Sequence, residues 1–297
     1  MAAARALAVD IGGTKLAAAV VTDDGRIERS ATSATPGGGV GVAGGEAVFG
    51  ALTTLLDTVR GGDETVCGVG CGGPMEAGGE SVTPLNIASW TGFALRSRLA
   101  DHLGVTTIVD NDAKALALGE WWRGGARGER HFVAMVVSTG VGGGIVLDGR
   151  LLDGTDGNAG HIGHVIVVPG GRPCACGGRG CLEAEASGPA IAAATGRPPE
   201  QADRETVARA GMLVGRAVAS VANLLGLRLA LVGGSVALGF GTPFFVAAQA
   251  ELDASARLRF SSGARIRPAA LGPDGPLVGA AAVGFRGIGL RSVPGGR

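Results

Sequence analysis

The sequence predicts an α/β protein built from two similar halves. Predicted strands alternate with predicted helices along the chain, which is the order typical of α/β folds. A strand, a glycine-rich turn and a second strand occur twice, once near residue 10 and again near residue 140. The chain has 297 residues, of which 46% are hydrophobic, so it can build a sizeable core. The repeated hairpin indicates a duplicated architecture in which a phosphate-sized turn opens each half.

The first half begins with a hairpin whose strands cover 7–10 and 16–21. An Asp-Gly turn then leads into a third strand, because Asp-Gly commonly marks a chain reversal. The apolar residues Leu116, Leu118 and Trp121 fit a helix that starts near Asp112. The elements predicted after the third strand are a helix over 46–60, a strand over 66–69, a helix over 93–103, a strand over 106–110 and the helix over 112–122.

The second half repeats this opening, with a strand over 131–137, a glycine turn over 138–144 and a short strand over 145–147. The last predicted helix is rich in Ala and Gly and should pack closely. The remaining elements are helices over 189–195, 206–225, 243–256 and 276–285 and a strand over 229–232, while loops over 35–45 and 197–203 are expected to be the most flexible.

Composition excludes several classes of protein. With 26 basic and 26 acidic residues, we expect neither nucleic acid nor an anionic membrane as a partner. The most apolar later stretch, 212–232, contains Arg216 and Arg228, which makes it too charged for a membrane span. The five unevenly placed cysteines favour metal ligation in a reducing cytoplasm over a disulfide framework. Lys15 and Lys114 are the only lysines, so almost all the basic residues are Arg.

The segment from Asp10 to Lys15 is the first candidate phosphate site. Gly12, Gly13 and Thr14 form a turn in which backbone N–H groups can approach phosphate oxygens without a Cβ in the way. Asp10, at a strand end, is suited to holding a phosphate-bound Mg²⁺, and Lys15 adds positive charge. An ordinary Gly-Gly hairpin is the alternative that this motif leaves open.

The second candidate phosphate site spans 138–144. A dinucleotide fingerprint would need a following helix, and an extended Ile-Val-Leu segment follows instead. The sequence has no G-x-x-x-x-G-K-[ST] string, which excludes an ordinary Walker-type NTPase. A later Gly-Gly after a strand suits the base or ribose of a nucleotide, although alone it is equally a strand-to-helix turn. The candidate nucleotide-binding residues here are Thr139, Gly140, Gly142, Gly143, Gly233 and Gly234.

Asp112 is the candidate general base. It lies at a predicted strand-to-helix junction, where a carboxylate often serves only as a helix cap. The same position stabilises and directs a carboxylate that accepts the proton of a substrate hydroxyl, with Asn111 binding a neighbouring hydroxyl. Taken alone, the motif favours a capping role for Asp112. Together with the two phosphate hairpins, it favours the role of general base.

A cluster of potential ligands predicts a structural zinc site. Two histidines and three cysteines share one short window rich in Gly and Pro: His161, His164, Cys174, Cys176 and Cys181. Three thiolates and one imidazole complete a tetrahedral site, which leaves no position for an activated water. We choose His164 as the nitrogen ligand and leave His161 for another role. Glu183, just after the last cysteine, is either a ligand for a sugar hydroxyl or an exposed carboxylate at a helix start.

Together these motifs resemble the ROK family, which contains bacterial repressors and sugar kinases. The resemblance covers nearly the whole chain, and the motifs stand in the family's order. They are Asp10-Ile-Gly-Gly-Thr-Lys15, Asn111-Asp112-Ala113, Ser138-Thr-Gly-Val-Gly-Gly-Gly144, Gly160-His-Ile-Gly-His164, Cys174-Ala-Cys-Gly177, Gly180-Cys-Leu-Glu183 and Gly233-Gly234.

The resemblance implies an actin-like ATPase fold of the ribonuclease H-like kind, with two α/β domains around a cleft. We expect a smaller domain from 1–110 plus 276–297 and a larger domain from 111–275 that carries the zinc loop 161–183. ATP and Mg²⁺ would lie between the glycine hairpins, and Asp112 would deprotonate the 6-hydroxyl of a hexose as it attacks the γ-phosphorus. The residues expected to bind the sugar are Asn111, Asp112, His161, His164 and Glu183.

His161 is a departure that bears on which sugar is used. Many glucokinase-like members have Glu at this position, whereas Gly-His-Ile-Gly-His resembles bacterial N-acetylmannosamine kinases. An imidazole can donate a hydrogen bond as well as accept one, which suits a carbonyl or a modified C2 or C3. We therefore expect an amino- or N-acyl-hexose such as N-acetylmannosamine, with glucose as the alternative.

Two non-catalytic classes of ROK protein are less favoured. A repressor would carry an N-terminal helix-turn-helix, and the first phosphate strand already begins at Leu7. A sugar sensor would not need Asp112 and both hairpins. The resemblance also implies a homodimer.

Overall fold

The structure is a computed structural model that describes residues 3–37 and 42–295. Within these ranges the strands are Arg5–Ile11 (β1), Lys15–Thr22 (β2), Ile27–Ala34 (β3), Val66–Cys71 (β4), Thr107–Asn111 (β5), Phe132–Val137 (β6), Val141–Leu147 (β7), Arg150–Leu151 (β8), Leu229–Gly233 (β9) and Arg265–Pro268 (β10). The α-helices are Val42–Val59 (α1), Leu95–Leu103 (α2), Asp112–Trp122 (α3), Leu182–Ala186 (α4), Gly188–Thr195 (α5), Arg204–Leu225 (α6), Ser235–Phe240 (α7), Thr242–Ser255 (α8) and Gly275–Gly287 (α9).

The chain divides into two compact units. The first comprises the described residues up to Arg127, Leu151–Ala159, and those from Leu271 onward. The second comprises Gly128–Arg150 and Gly160–Ala270. These divisions differ from the predicted boundaries at 110 and 276, because α3 packs within the first unit.

The packing of α3 explains this difference. It lies so close to α9 that a Cβ added at Gly119 would come within 2.9 Å of the backbone nitrogen of Gly279. This close backbone packing groups α3 with α9 in the first unit. The first unit therefore contains the whole β5–α3 junction.

The first unit contains a five-stranded sheet in the order β3-β2-β1-β4-β5. The first three strands run antiparallel to one another, while β4 runs parallel to both β1 and β5. In this register Asp10 of β1 and Asp110 of β5 stand on either side of Gly70 of β4. The carboxyl ends of β1 and β5 therefore reach the same edge of the sheet.

Helices cover both faces of this sheet. The side chains of Leu7, Val9 and Ile11 point into the core shared with α1 and α2, because alternate residues of a strand face the same side. On the opposite face, a Cβ at Gly68 would lie 1.9 Å from the carbonyl oxygen of Ala280 in α9. The predicted close packing of the last helix is confirmed.

The second unit contains a five-stranded sheet in the order β10-β9-β6-β7-β8. Strands β6 and β7 are antiparallel, while β9 runs parallel to both β6 and β10. The long helix α6 packs closely on α8, since a Cβ at Gly211 would lie 2.3 Å from the carbonyl oxygen of Phe244. The helices within the described residues are too short or too polar to cross a bilayer.

Several local predictions were wrong in extent. The second glycine turn is shorter than 138–144, because β7 begins at Val141 and its glycines pair with β6. Helix α1 begins at Val42, inside the loop predicted over 35–45, and residues 38–41 of that loop lie outside the described part of the chain. The loop over 197–203 contains a 3₁₀ turn, Pro199–Gln201. The short strands β8 and β10 were not predicted, while α4 and α7 correspond to helix starts that the sequence offered only as alternatives.

Candidate active site and metal centre

The first glycine hairpin joins β1 to β2 in the first unit. Its turn is closed by a hydrogen bond of 3.0 Å from the N–H of Gly12 to the carbonyl of Lys15. The hydroxyl of Thr35 donates to the Gly12 carbonyl at 2.7 Å, which anchors the turn from β3's end. The turn exposes Thr14 and Lys15 to solvent. It therefore offers backbone N–H groups and one ammonium group to an anion.

Asn86, which belongs to none of the sequence motifs, lies against this hairpin. A Cβ at Gly13 would come within 2.8 Å of the Asn86 carbonyl oxygen, and a Cβ at Gly72 within 3.3 Å of Asn86 Oδ1. Gly13 and Gly72 are thus glycines that make room for one asparagine. No motif in the sequence connects these three positions, because only the fold brings the 72–90 loop to the hairpin.

Asp112 is close enough to Asp10 to affect the ionisation of the Asp10 carboxyl. Burial, and then the negative charge of Asp112, raise the pKa of the Asp10 carboxyl to about 7, while Lys15 opposes the shift. The parallel pairing of β1, β4 and β5 causes this proximity, since it brings the end of β1 beside the start of α3. The pair forms an acidic oxygen cluster next to the first hairpin.

At the N-terminus of α3, Asn111 caps the helix and the neighbouring Asp112 is the candidate base. Asn111 is the N-cap, and its Oδ1 accepts a hydrogen bond of 3.0 Å from the N–H of Ala113. Asp112 is the first helical residue, and its Oδ1 accepts from the same N–H at 2.8 Å. The helix dipole and this N–H favour an ionised, oriented Asp112 carboxylate. Asn111 performs the capping that the sequence left as the alternative role of Asp112.

The second hairpin joins β6 to β7 in the second unit. The N–H of Ser138 donates to the Gly140 carbonyl at 2.9 Å, and Thr139 is exposed at the tip. The hydroxyls of Ser138 and Ser235 lie 2.9 Å apart, which links the hairpin to the Gly-Gly turn after β9. Gly234 has φ +95°, and a Cβ there would lie 2.3 Å from the carbonyl oxygen of Val137. The structure therefore brings the predicted second and third glycine sites together.

Two of the predicted nucleotide-binding glycines lie within a strand and not in the hairpin turn. Gly142 and Gly143 lie within β7 and pair with Val136 and Met135 of β6. A Cβ at Gly143 would lie 2.9 Å from Cγ2 of Ile162. This glycine accommodates the His161–His164 turn rather than forming part of the hairpin tip.

Glu183 contacts the second hairpin directly. Its Oε2 accepts a hydrogen bond of 2.8 Å from the N–H of Val141, and a Cβ at Gly140 would lie 2.9 Å from the same oxygen. Glu183 stands in the first turn of α4, immediately after Cys181. The carboxylate is therefore held between the zinc loop and the hairpin, and is not the exposed helix-start carboxylate considered from the sequence.

His161 and His164 lie on one short turn, with ring centroids 5.9 Å apart and planes inclined by 21°. His164 ends a 3₁₀ helix over Ile162–His164, and its Nδ1 lies 3.6 Å from the sulfur of Cys174. Because Nδ1 faces the cysteines, Nε2 is the nitrogen of His164 that remains for another partner. His161 is not part of the sulfur cluster.

Four donor atoms in the second unit lie close enough together to bind one metal ion. One atom from each of His164, Cys174, Cys176 and Cys181 lies within 4.8 Å of all the others. The sulfurs of Cys176 and Cys181 are 3.8 Å apart. Zinc–sulfur bonds of about 2.3 Å place sulfur ligands about 3.8 Å apart in a tetrahedron. The donor set and its spacing fit a structural Zn²⁺.

Glu185 supports the zinc loop, a role not predicted from the sequence. Its side chain is buried, and Oε1 accepts a hydrogen bond of 2.8 Å from the N–H of Arg172. Oε2 accepts from the Arg209 guanidinium of α6 at 2.6 Å. Burial favours a raised pKa for the Glu185 carboxyl, but the hydrogen bonds from the Arg172 N–H and from Arg209 outweigh it and lower that pKa. The loop is thereby attached to α6 at a point away from the sulfur atoms. Nothing distinguishes Glu185 from Glu183 in the sequence.

Cys67 and Cys71 stand apart from the zinc cluster. Both lie in β4 and are buried, and burial raises the pKa of the Cys67 thiol to about 12. A thiol in this state is a poor nucleophile and a poor metal ligand. Their position therefore favours a packing role in the core over a chemical one.

The chain has clear relatives among known proteins. It is 39% identical over 250 residues to the N-acetylmannosamine kinase of Citrobacter koseri, a match that covers 79% of this chain and 84% of that protein. It is also 39% identical over 188 residues to the glucokinase of Thermotoga maritima, which covers 62% of this chain and 58% of that protein.

The fold is similar to that of a ROK family glucokinase from Streptomyces griseus, solved in complex with glucose and AMPPNP. The TM-score is 0.83 at 28% identity, over 95% of this chain and 99% of that chain. The similarity confirms the predicted actin-like α/β fold. The model of the ROK family matches residues 6–284. The chain therefore belongs to the ROK family.

Proposed function

We propose that this protein is an ATP-dependent sugar kinase that phosphorylates the 6-hydroxyl of an amino- or N-acyl-hexose. The observation that carries the proposal is the position of Asp112, oriented at the N-terminus of α3 and electrostatically coupled to Asp10 beside a glycine hairpin. Relatives named as N-acetylmannosamine kinase and glucokinase support the reaction type.

Asp112 acts as the general base in this proposal. The N–H of Ala113 and the positive end of the α3 dipole keep its carboxylate ionised and fixed in direction. An ionised, oriented carboxylate accepts the proton of a hydroxyl as that hydroxyl attacks the γ-phosphorus. The Oδ1 atom of Asn111 caps the helix, and the amide N–H groups of the same side chain donate to a neighbouring sugar oxygen.

The two glycine hairpins bind the phosphates of ATP in this proposal. The likeness to a glucokinase that binds AMPPNP supports ATP as the phosphoryl donor. Backbone N–H groups near Gly13 and Gly140 and the ammonium of Lys15 neutralise phosphate charge. The carboxylate of Asp10 is the group that would hold Mg²⁺, and the ion would offset the negative charge of the phosphates.

The assignment of the sugar rests on His161. Its imidazole can donate to an N-acyl carbonyl, which a glutamate at the same position cannot do. The match to N-acetylmannosamine kinase covers more of the chain than the match to glucokinase, which supports the amino-sugar class. Glucose is the second candidate, because the structurally similar Streptomyces griseus kinase was solved with glucose. A homodimer stays a prediction from the family resemblance.

We expect a coupled assay of ADP release to show higher kcat/KM for an amino- or N-acyl-hexose than for glucose, by about tenfold or more. The panel comprises glucose, N-acetylmannosamine, N-acetylglucosamine and glucosamine. His161→Glu should reduce the preference, because a carboxylate accepts from sugar hydroxyls but cannot donate to a carbonyl. A tenfold preference of the wild-type enzyme for glucose would reject the amino-sugar assignment and leave the kinase assignment intact.

Asp112→Asn should lower kcat on the best sugar by roughly 100- to 10,000-fold, because an isosteric amide cannot accept the proton. Sugar affinity, measured by calorimetry, should be largely retained, since the amide keeps the size and most hydrogen bonds of the carboxylate. Asp101→Asn, at an exposed position of α2, is the matched control and should leave turnover unchanged. Unchanged turnover in Asp112→Asn would remove Asp112 from the role of base.

Asp10→Asn should raise the free energy of unfolding of the metal-free protein at pH 8 and have little effect near pH 4. The folded-state pKa of about 7 lies above the ordinary value of 3.8, so the folded protein keeps a proton that the unfolded chain has lost. The contribution of Asp10 to wild-type stability therefore falls as the pH rises from 4 to 7, by a few kcal/mol at most, since one pKa unit is worth about 1.4 kcal/mol. Partial exposure of Asp10 reduces this amount.

Urea denaturation in the presence of EDTA measures this effect across the pH range, with Asp101→Asn as the matched control. Comparing variants at each pH cancels the acid sensitivity that all of them share. A stability difference between Asp10→Asn and wild type that does not change with pH would show that Asp10 is not the perturbed carboxyl.

The purified protein should contain about one zinc ion per chain, and Cys176→Ser should lose it, because three ligands hold zinc less tightly than four. Metal content is measured by plasma mass spectrometry, and thermal stability in parallel. Cys176→Ser and chelated wild type should both melt at a lower temperature, since the metal closes the loop before Glu183. Cys67→Ala removes a cysteine outside the cluster and should keep the zinc. Full zinc content in Cys176→Ser would contradict the ligand set.

A further inference from the structure

Lys114 is a buried cation that the proposed catalytic steps do not use. Its side chain is only 2% exposed, although it stands two residues after Asp112. Its ammonium group contacts three acceptors: Asp110 Oδ1 at 2.9 Å, Asp153 Oδ1 at 2.6 Å and the carbonyl of Gly157 at 3.1 Å. Three N–H donors therefore meet three acceptors, which compensates the burial of the charge.

Two of these acceptors belong to a loop that Lys114 ties down. Segment Leu151–Ala159 lies within the first unit, although the chain on either side of it belongs to the second. The loop closes on itself through a hydrogen bond of 3.0 Å from the N–H of Ala159 to the carbonyl of Asp153. The loop is thus a compact turn attached to the β5–α3 junction.

Asn158 fixes the other end of the same loop. Its Oδ1 accepts from the N–H of Met75 at 3.2 Å, and its amide donates to the Met75 carbonyl at 2.9 Å. Lys114 and Asn158 therefore hold the loop at two points on one unit. Only Gly160 separates Ala159 from His161, so the position of the loop limits where His161 can lie.

We propose that Lys114 is a positioning residue for the sugar: by binding Asp153 and Gly157 it holds the loop that leads directly into the His161 turn. The inference rests on the proposed function for its readout in catalysis, but not for the structural tether. The chemistry suits lysine, because the compact ammonium reaches three convergent acceptors that a planar guanidinium cannot match. In a chain whose other cations are nearly all Arg, this is one of only two lysines.

Asp153→Ala tests the tether with little risk to folding, because the Asp153 side chain is half exposed. Glu46→Ala is the matched control, since it breaks a carboxylate–cation pair of 2.6 Å with Arg98 in the same unit and at similar exposure. We expect hydrogen–deuterium exchange over 153–161 to increase about tenfold in Asp153→Ala only. We also expect its KM for the sugar to rise about tenfold, with KM for ATP changed less than about twofold.

A double variant separates positioning from general destabilisation. If the two residues act through their contact, adding Asp153→Ala to Lys114→Met should raise the KM for the sugar no further than Lys114→Met alone. Unchanged exchange over 153–161 in Asp153→Ala would overturn the tether whether or not the enzyme is active. Faster exchange with an unchanged KM, or equal effects on both substrates, would overturn the positioning role. Absence of wild-type turnover on every sugar would instead reject the proposed function.

Discussion

The parallel pairing of β1, β4 and β5 is the constraint on which the first half of the candidate site depends. It aligns Asp10 and Asp110 on either side of Gly70, and it ends β5 where α3 begins. A Cβ at Gly70 would lie 3.4 Å from the Cα of Asp112, so a larger residue there would press on the helix start. The acidic cluster is therefore a consequence of strand register. The same register determines the positions of α3 and of the first hairpin.

In the second unit the zinc loop has the corresponding organising role. His164 and Cys181 are the first and last of the four candidate zinc ligands along the chain. The candidate sugar-binding residue His161 lies three residues before His164, and Glu183 lies two residues after Cys181. Glu183 also receives the N–H of Val141 from the second hairpin. A metal that fixes the two ends of the loop would therefore position the candidate sugar-binding residues and the second hairpin together, without taking part in the chemistry.

The sequence was sufficient for the parts of the site whose chemistry is local. Glycine turns, the cysteine spacing and the Asn111-Asp112 junction each depend on neighbours within a few residues, so they could be predicted with the fold class. Asn86, Glu185 and the loop held by Lys114 could not, because their partners are distant in the chain. The extension of the first compact unit past the predicted boundary at 110 has a similar reason: α3 follows a strand end in the sequence, but its packing partner α9 lies more than a hundred residues later.

Charge balance explains why both lysines of the chain lie at this one edge of the sheet. Asp10, Asp110 and Asp112 bring three carboxyl groups to one edge of the sheet, where burial raises the pKa of Asp10 and of Asp110 and the negative charge of Asp112 adds to the shift of Asp10. Lys15 opposes the shift of Asp10, and Lys114 opposes that of Asp110. The negative charge of Asp112 is stabilised by a backbone N–H and the helix dipole. The arrangement therefore sets the positive charge of one lysine against each of the two supporting carboxyl groups, Asp10 and Asp110, that flank the candidate base.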